Sequence, residues 1–359
     1  MFFMKLFLIS NMYPDTNSPG YGVFVKNVAD YLNRNNFNIS YTAVIQGRSR
    51  NLIHKIVKYI IFYFKIISHY FKTYDAVYIH YPNMAVPILL PLFWICKKKM
   101  IVNYHGEDLL YSGRIGVLLG RYTEKFVRDY ANVVIVPSTF FKQELLKRKI
   151  CKEDKIVVFP SGGIDPEIFY PSSKKRTKCL NLGYVGRIEY GKGWKEYILS
   201  LSKLNEFVDF RGFIIGYGAL EPEMHELISQ CNLNDKIELI KGVSQKELRH
   251  FYTQFDLLLF TTQLPESLGL VGLESMACGT PIVATNIGGV ATYTINDFNG
   301  FLVDKGDIMG IVHSVEKYIN MDETQKTRMI NNCIATAKKY STETIYVSFL
   351  RDIKRFFYL

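Results

Sequence analysis

With 359 residues, 48% of them hydrophobic and 21% charged, the chain is too long for one ordinary core and too apolar for disorder, so two folded domains are expected. The formal net charge of +11 is lopsided: residues 1–170 carry 22 Lys+Arg against 12 Asp+Glu, which calls for an anionic partner of that half, either a membrane surface or a nucleic acid. The six cysteines are scattered with no Cys-x-x-Cys pair, which excludes a disulfide framework and a zinc site and points to reduced thiols in a cytosolic protein. The stretch Met1 to Ser10 has a short apolar run and no small-residue cleavage site, so Leu6-Phe7-Leu8-Ile9 reads as a first buried strand and not a signal peptide.

Further apolar runs follow at Ile39 to Ile45, Ala76 to Ile79, Met100 to Asn103, Val133 to Val136 and Ile156 to Phe159, alternating with helix-like stretches in the rhythm of a parallel α/β sheet. The rhythm repeats at Leu180 to Val185, Phe210 to Ile215, Ile237 to Leu239, Asp256 to Phe260, Pro281 to Ala284 and Gly300 to Val303. Two doubly wound units are therefore expected, residues 1–170 and 171–340, with a linker in the polar stretch from Tyr170 to Lys178 and a last helix from about Thr342 to Phe357.

Asn51 to Tyr74 is the distinctive segment of the first half. On a helix of about 100° per residue, His54, Lys55, Lys58, Lys65, His69 and Lys72 share roughly one third of the circumference, and isoleucines, tyrosines and phenylalanines fill the rest. Two readings stand: a helix lying in the face of an anionic leaflet, or a structural helix that covers the sheet and leaves its lysines in water. Within this segment the charge-free runs are too short for a transmembrane span.

Several strand ends carry residues suited to chemistry. Gly20, Tyr21 and Gly22 connect the first strand to the first helix, and Ile101 to Asp108 puts His105 beside a glycine at the end of a strand. Tyr184 to Gly193 runs from a strand into a helix and offers Arg187 and Lys192 to phosphate groups, one as a fork and one as a point charge. Gly216-Tyr217-Gly218 and Lys241-Gly242-Val243 end two more strands, where ligands of open α/β sheets collect.

The most informative stretch is Pro265 to Val283. Gly269 gives a permissive helix entrance, Leu270 to Ala277 can run as helix, Gly279 suits its stop and Pro281 bars continuation. Such a helix start leaves backbone N–H groups and a positive dipole end for a phosphate. Glu266 lies ahead of it and Glu274 past its first turn; carboxylates repel phosphate, so sugar hydroxyls are their natural partners.

This block, with seven residues between its two glutamates, resembles the donor-binding signature of retaining glycosyltransferase family four, and the likeness extends over nearly all the chain. The resemblance implies the GT-B fold: two Rossmann-like doubly wound domains facing across a cleft, acceptor held by the first and donor by the second, with the last helix, about 341–359, packing back on the first. It implies that Glu266 contacts the donor sugar, Glu274 the ribose, Ser267, Leu268, Gly269 and Leu270 the diphosphate through their backbone, and Arg187 and Lys192 the same diphosphate. Gly242 and Val243 then border the base, His105 faces the donor sugar, and Gly20, Tyr21, Gly22 and Asp108 belong to the acceptor side.

The implied activity is transfer of a sugar from a nucleotide sugar, a uridine diphosphate sugar ahead of a guanosine one, to a glycan or lipid-linked acceptor in bacterial surface polysaccharide assembly. No cofactor or metal is expected, because an Asp-x-Asp motif is missing and the cations serve instead. A peripheral place on the inner face of the cytoplasmic membrane fits the basic first half, and no nucleic-acid motif accompanies the charge. An epimerase acting on nucleotide sugars, which can share this fold, is the alternative, and a basic nucleic-acid-binding protein is the more distant one.

Overall fold

The computed structural model describes residues 4–111, 113–172 and 179–357. The chain divides into two compact units, Met1–Gly162 with Ile345–Leu359, and Gly163–Thr344.

In the first unit the strands β1 (Met4–Tyr13), β2 (Phe37–Gln46), β3 (Ala76–His80), β4 (Lys99–Asn103), β5 (Val133–Val136) and β6 (Ile156–Val158) form a parallel sheet in the order β2-β1-β3-β4-β5-β6. The helices α1 (Val23–Arg34), α2 (Leu52–Tyr70), α3 (Pro82–Ile95), α4 (Gly113–Tyr130) and α5 (Thr139–Lys147) make the crossovers. Helices on both faces bury the strands on both faces, which is why the sequence shows continuous apolar runs and not alternation. Every residue of β3 and β5 is buried.

In the second unit β7 (Leu180–Val185), β8 (Phe210–Ile215), β9 (Ile237–Ile240), β10 (Leu257–Phe260), β11 (Ile282–Thr285) and β12 (Gly300–Val303) are again parallel, in the order β12-β11-β10-β7-β8-β9. The helices α6 (Trp194–Leu204), α7 (Glu221–Gln230), α8 (Gln245–Gln254), α9 (Leu270–Ala277), α10 (Ile308–Ile319) and α11 (Glu323–Lys338) accompany them. The final helix α12 (Thr342–Arg355) belongs to the first unit from Ile345 onward. There the Tyr346 ring lies 4.1 Å from that of Tyr31, and Phe349 lies 4.2 Å from Phe159.

The units divide at Gly162/Gly163, ahead of the expected boundary at residue 170. Backbone hydrogen bonds explain this: Ile164 N–H donates to Tyr340 C=O at 2.8 Å, and Thr342 N–H donates to Ile164 C=O at 2.9 Å. Ile164 and Phe169 then bury themselves in the second core. Of the expected linker, residues 173–178 lie outside the described residues.

The strand order reverses between β1 and β3 in the first sheet and between β7 and β10 in the second. Loops leaving such a pair part to opposite faces and open a crevice at the carboxyl edge, the preferred ligand site of this architecture.

Candidate active site

In the second unit, the loops after β7 and β10 are laced together at the reversal point. Gly193, at φ 85°, starts α6, and a Cβ there would come within 2.0 Å of the Thr261 carbonyl. The Thr261 hydroxyl donates to Gly193 C=O at 2.7 Å, and Gln263 N–H donates to Gly191 C=O at 2.8 Å. Lacing brings two side chains distant in sequence together: Lys192 Nζ donates to Glu266 Oε1 at 2.9 Å, with both side chains about four-fifths buried. The backbone of Glu266 is itself fixed by Gly289 N–H, which donates to its carbonyl at 2.8 Å.

Just beyond Glu266, Gly269 adopts φ 82° and gives α9 no side-chain cap. The Tyr293 hydroxyl donates to Gly269 C=O at 2.7 Å and braces the turn. Gly272 N–H bonds back to Gly269 C=O, so the amides of Leu270 and Val271 are the orphan donors that an α-helix start leaves by geometry. Leu268 is buried beneath them. The result is an ammonium and a helix N-terminus next to one another, with a carboxylate between them and the following strand end.

Glu274 is half-buried on α9, and Tyr252 of α8 donates its hydroxyl to Glu274 Oε2 at 3.0 Å. Burial pushes the Glu274 carboxyl up to about 7, and the Tyr252 hydrogen bond opposes the shift. Arg187 does not join Lys192. It is more than half exposed and pairs with Glu189 at 2.9 Å.

Gly216 and Gly218 have an internal cause: a Cβ at either would collide with the carbonyl of Gly186 or Ile188, at 1.9 Å and 2.2 Å. The Gly-x-Gly of this loop thus serves close packing of two loops of the same edge. Gly242, at φ 67°, has open space where its Cβ would be, and Val243 is half-buried.

In the first unit, His105 leaves β4 and meets His80 at the end of β3, Nε2 to Nδ1 at 2.9 Å, the two rings stacked at 5.1 Å. Tyr81 stacks on His105 at 4.5 Å and Phe24 of α1 approaches it at 4.7 Å. Tyr81 holds φ 54°, a costly conformation for a bulky residue. Burial lowers both histidines, His105 to about 3, so both are neutral and one nitrogen of the pair must donate while the other accepts.

The Asp108 carboxylate is turned inward. It is 7% exposed, and its Oδ1 accepts from the N–H groups of His105 and Gly106 at 2.9 Å each. Burial pushes it up to about 7 against those two hydrogen bonds. Gly22, at φ 71°, starts α1, and a Cβ there would meet the Met12 backbone at 2.5 Å. Gly20 has open space, and the Tyr21 hydroxyl donates to Asn11 C=O at 3.4 Å.

The carboxyl edge of this sheet also concentrates buried polar atoms that lack partners among the described residues: Asn11 Oδ1, His80 Nε2, Asn83 Oδ1, Tyr104 Oη, Asp108 Oδ2 and Ser138 Oγ. Buried polar groups are normally satisfied, so their accumulation at one edge marks a place prepared for water or ligand.

Sequence reasoning missed His80, Tyr81 and Tyr252. His80 had a signal, a histidine closing an otherwise apolar strand at the same edge as His105. Tyr252 had none, since nothing in a helical tyrosine announces a partner 22 residues away.

Comparison with known proteins identifies the two units separately. Residues 20–167 match the model of Glycosyltransferase Family 4, and residues 167–337 match that of Glycosyl transferases group 1. An uncharacterized glycosyltransferase of Methanocaldococcus jannaschii is 27% identical over 96% of this chain and 96% of its own. The capsular polysaccharide biosynthesis glycosyltransferase CapM of Staphylococcus aureus is 30% identical over 64% of this chain and 65% of its own. Among solved structures, HepE of Anabaena, in complex with UDP, superposes with a TM-score of 0.76 at 16% identity, covering 98% of this chain and 100% of that one.

Proposed function

The chain belongs to the glycosyltransferases of group 1 and family 4 with the GT-B fold, and from that premise we propose that it is a retaining hexosyltransferase using a nucleotide-sugar donor. A uridine diphosphate sugar is the first donor to test, in keeping with the UDP complex of a protein of the same fold. The acceptor is a glycan or a lipid-linked glycan of a bacterial surface polysaccharide, a reading supported by the capsular relative. The enzyme works on the cytoplasmic face of the membrane, held there by its basic first unit.

The pairing of Lys192 with Glu266 beside the start of α9 carries this reading. An arriving diphosphate competes for the ammonium, which turns from Glu266 to the phosphates and leaves the carboxylate to accept from sugar hydroxyls. The amides of Leu270 and Val271 add donors aimed where charge grows as the diphosphate leaves. Glu274 then receives the ribose, its burial making a hydroxyl partner worthwhile.

In the retaining step the bond from the anomeric carbon to the diphosphate oxygen breaks, and a bond to the acceptor oxygen forms on the same face. The acceptor proton passes to the departing diphosphate oxygen, so no protein nucleophile is required. Positioning and charge stabilisation supply the rate. Lys192 and the helix amides take the place of a metal, and activity should survive EDTA; a loss restored by manganese or magnesium would overturn this point.

Thermal shift with a panel of uridine and guanosine diphosphate sugars, followed by donor hydrolysis, tests the donor. The glutamates provide a sharper check. Glu274→Ala should weaken free nucleotide by about tenfold, the scale of one or two lost hydrogen bonds. Glu266→Ala should spare free nucleotide and lower turnover of the nucleotide sugar. Equal loss of free-nucleotide affinity in both variants would contradict the division of roles.

A further inference from the structure

Tyrosine hydroxyls buried in the second unit have two kinds of partner. Tyr184, Tyr197 and Tyr293 donate to backbone carbonyls, Tyr197 to that of Leu182 at 2.7 Å and Tyr293 to that of Gly269 at 2.7 Å. Those bonds hold strands and turns in place. Tyr252, fully buried, donates to a side-chain carboxylate, Glu274 Oε2 at 3.0 Å. A buried hydroxyl needs an acceptor, and a backbone carbonyl would satisfy it without drawing a carboxylate to the edge of the core.

Local structure fixes where the Tyr252 hydroxyl stands. The residue lies in the last turn of α8, and the Thr280 hydroxyl, just past the end of α9, donates to its carbonyl at 2.6 Å. The Thr280 carbonyl in turn accepts from the Ser275 hydroxyl at 3.0 Å, so the exit of α9 is tied both to α8 and back to α9. Phe255 meets the Tyr252 ring edge-on at 6.3 Å and Phe169 lies 6.1 Å from it. Backbone and ring are both held.

Glu274 has two carboxylate oxygens, and one is engaged. Oε2 is turned to Tyr252, while Oε1 accepts from no donor among the described residues, on a side chain that is only half-buried. The last torsion of a glutamate is otherwise broad, so the Tyr252 bond selects one setting of it before any ligand arrives. The same bond favours the ionised form: burial pushes the Glu274 carboxyl up to about 7, and the Tyr252 hydroxyl opposes the shift.

We infer that Tyr252 is a positioning residue that aims Glu274 at the ribose hydroxyls and so lets the site tell a ribonucleotide from its deoxy counterpart. The inference rests on the donor-binding reading of Glu274 and adds the selectivity of that place for the nucleotide's own sugar. A nucleotide without those hydroxyls would cover Oε1 and give it no donor, which penalises the wrong ligand besides favouring the right one.

Calorimetry on the whole chain with UDP and GDP, each beside its 2′,3′-dideoxy form, tests this. The parent should bind the ribose form of its preferred nucleotide more tightly by about tenfold, the scale of one or two hydrogen bonds. Tyr252→Phe removes one oxygen and leaves the ring. It should cut the preference to about threefold or less, with affinity for the dideoxy form unchanged. With a nucleotide sugar as substrate, its KM should rise by the factor that free-nucleotide affinity falls while kcat holds, since the ribose keeps one partner in ground and transition states alike. In a Glu274→Ala background the same change should have no further effect on the preference. Tyr197→Phe is the comparison for plain packing: it removes a buried hydroxyl from the same core and should lower the unfolding temperature while keeping the preference.

A Tyr252→Phe protein with the parent's full preference, or one that binds ribose and dideoxy forms equally more weakly, overturns the inference. So does a parent indifferent to the ribose hydroxyls, which also takes Glu274 away from the ribose. A preference present in the parent and lost in Tyr252→Phe, in a protein that turns over no nucleotide sugar, sinks the transferase reading and leaves Tyr252 assigned.

Discussion

Lys192→Ala should lower turnover of the nucleotide sugar by about 10²- to 10³-fold, the usual cost of deleting one donor that stabilises charge in a transition state. The Lys192 side chain is about four-fifths buried, so water screens it little, and it is placed at the reversal point of the second sheet. Its loss acts twice. The departing diphosphate loses a positive partner, and Glu266 is left as an uncompensated carboxylate 2.9 Å from where the charge stood. Affinity for free nucleoside diphosphate should fall by about 1.5–3 kcal/mol, the range for hydrogen bonds to charged groups.

Because the two side chains form one unit, their effects will not add. Adding Glu266→Gln to Lys192→Ala should cost less than the two single losses combined, since the repelling charge goes as well. Arg187→Ala offers the contrast. That side chain is 57% exposed and already paired with Glu189, so its removal should cost no more than about tenfold. Steady-state kinetics and nucleotide titration on variants with the parent's unfolding temperature decide the matter. A Lys192→Ala enzyme with undiminished turnover would remove the residue from the site.

The local features of this site were legible because they depend on neighbours in sequence. Gly269 before a largely apolar octet, then Gly279 and Pro281, dictate a helix from Leu270 to Ala277, and the helix has those bounds. The parallel strands were legible for the same reason, each a short apolar run between glycine-rich or polar turns. The pairings were not legible. Lys192 and Glu266 are 74 residues apart, and His80 and His105 are 25 apart; only strand order brings them together, and order is not written in any one segment.

Periodicity leaves the role of α2 open between its two readings, because it reports which positions are apolar and not which of them are covered. A helix with two apolar faces has the same pattern as one with a single wide face. In α3 the sequence argues against the fold locally: Pro87 and Pro91 sit inside the helix, where each removes a backbone donor, and the surrounding burial of Ala85, Val86 and Leu89 outweighs them.

The inward turn of Asp108 leads to the second large effect, which is on stability and not on turnover. The buried carboxyl titrates at about 7 in the fold and at 3.8 unperturbed, with burial as the main cause and Glu107 adding repulsion. Between those values the folded state binds a proton that the unfolded chain has released, so this group makes stability fall as pH rises through the window. His105 works the other way. Its folded value of about 3 lies below 6.5, so the unfolded chain binds the extra proton and stability rises with pH up to 6.5; His80, lowered by the same burial, adds in that direction.

Asp108→Asn keeps an oxygen for the two backbone N–H groups and removes the titration. The variant should lose the fall in stability contributed between pH 3.8 and about 7, leaving the rise from the histidines. At pH 8 it should be more stable than the parent by about 1–3 kcal/mol, less than the full linkage term because its amide N–H₂ enters a buried place without a partner. Denaturant unfolding of the whole chain at pH 5, 6, 7 and 8 measures this, following the transition of the first unit. A difference between variant and parent that stays constant across that range would mean that Asp108 keeps one protonation state throughout, and the account of its burial would fail.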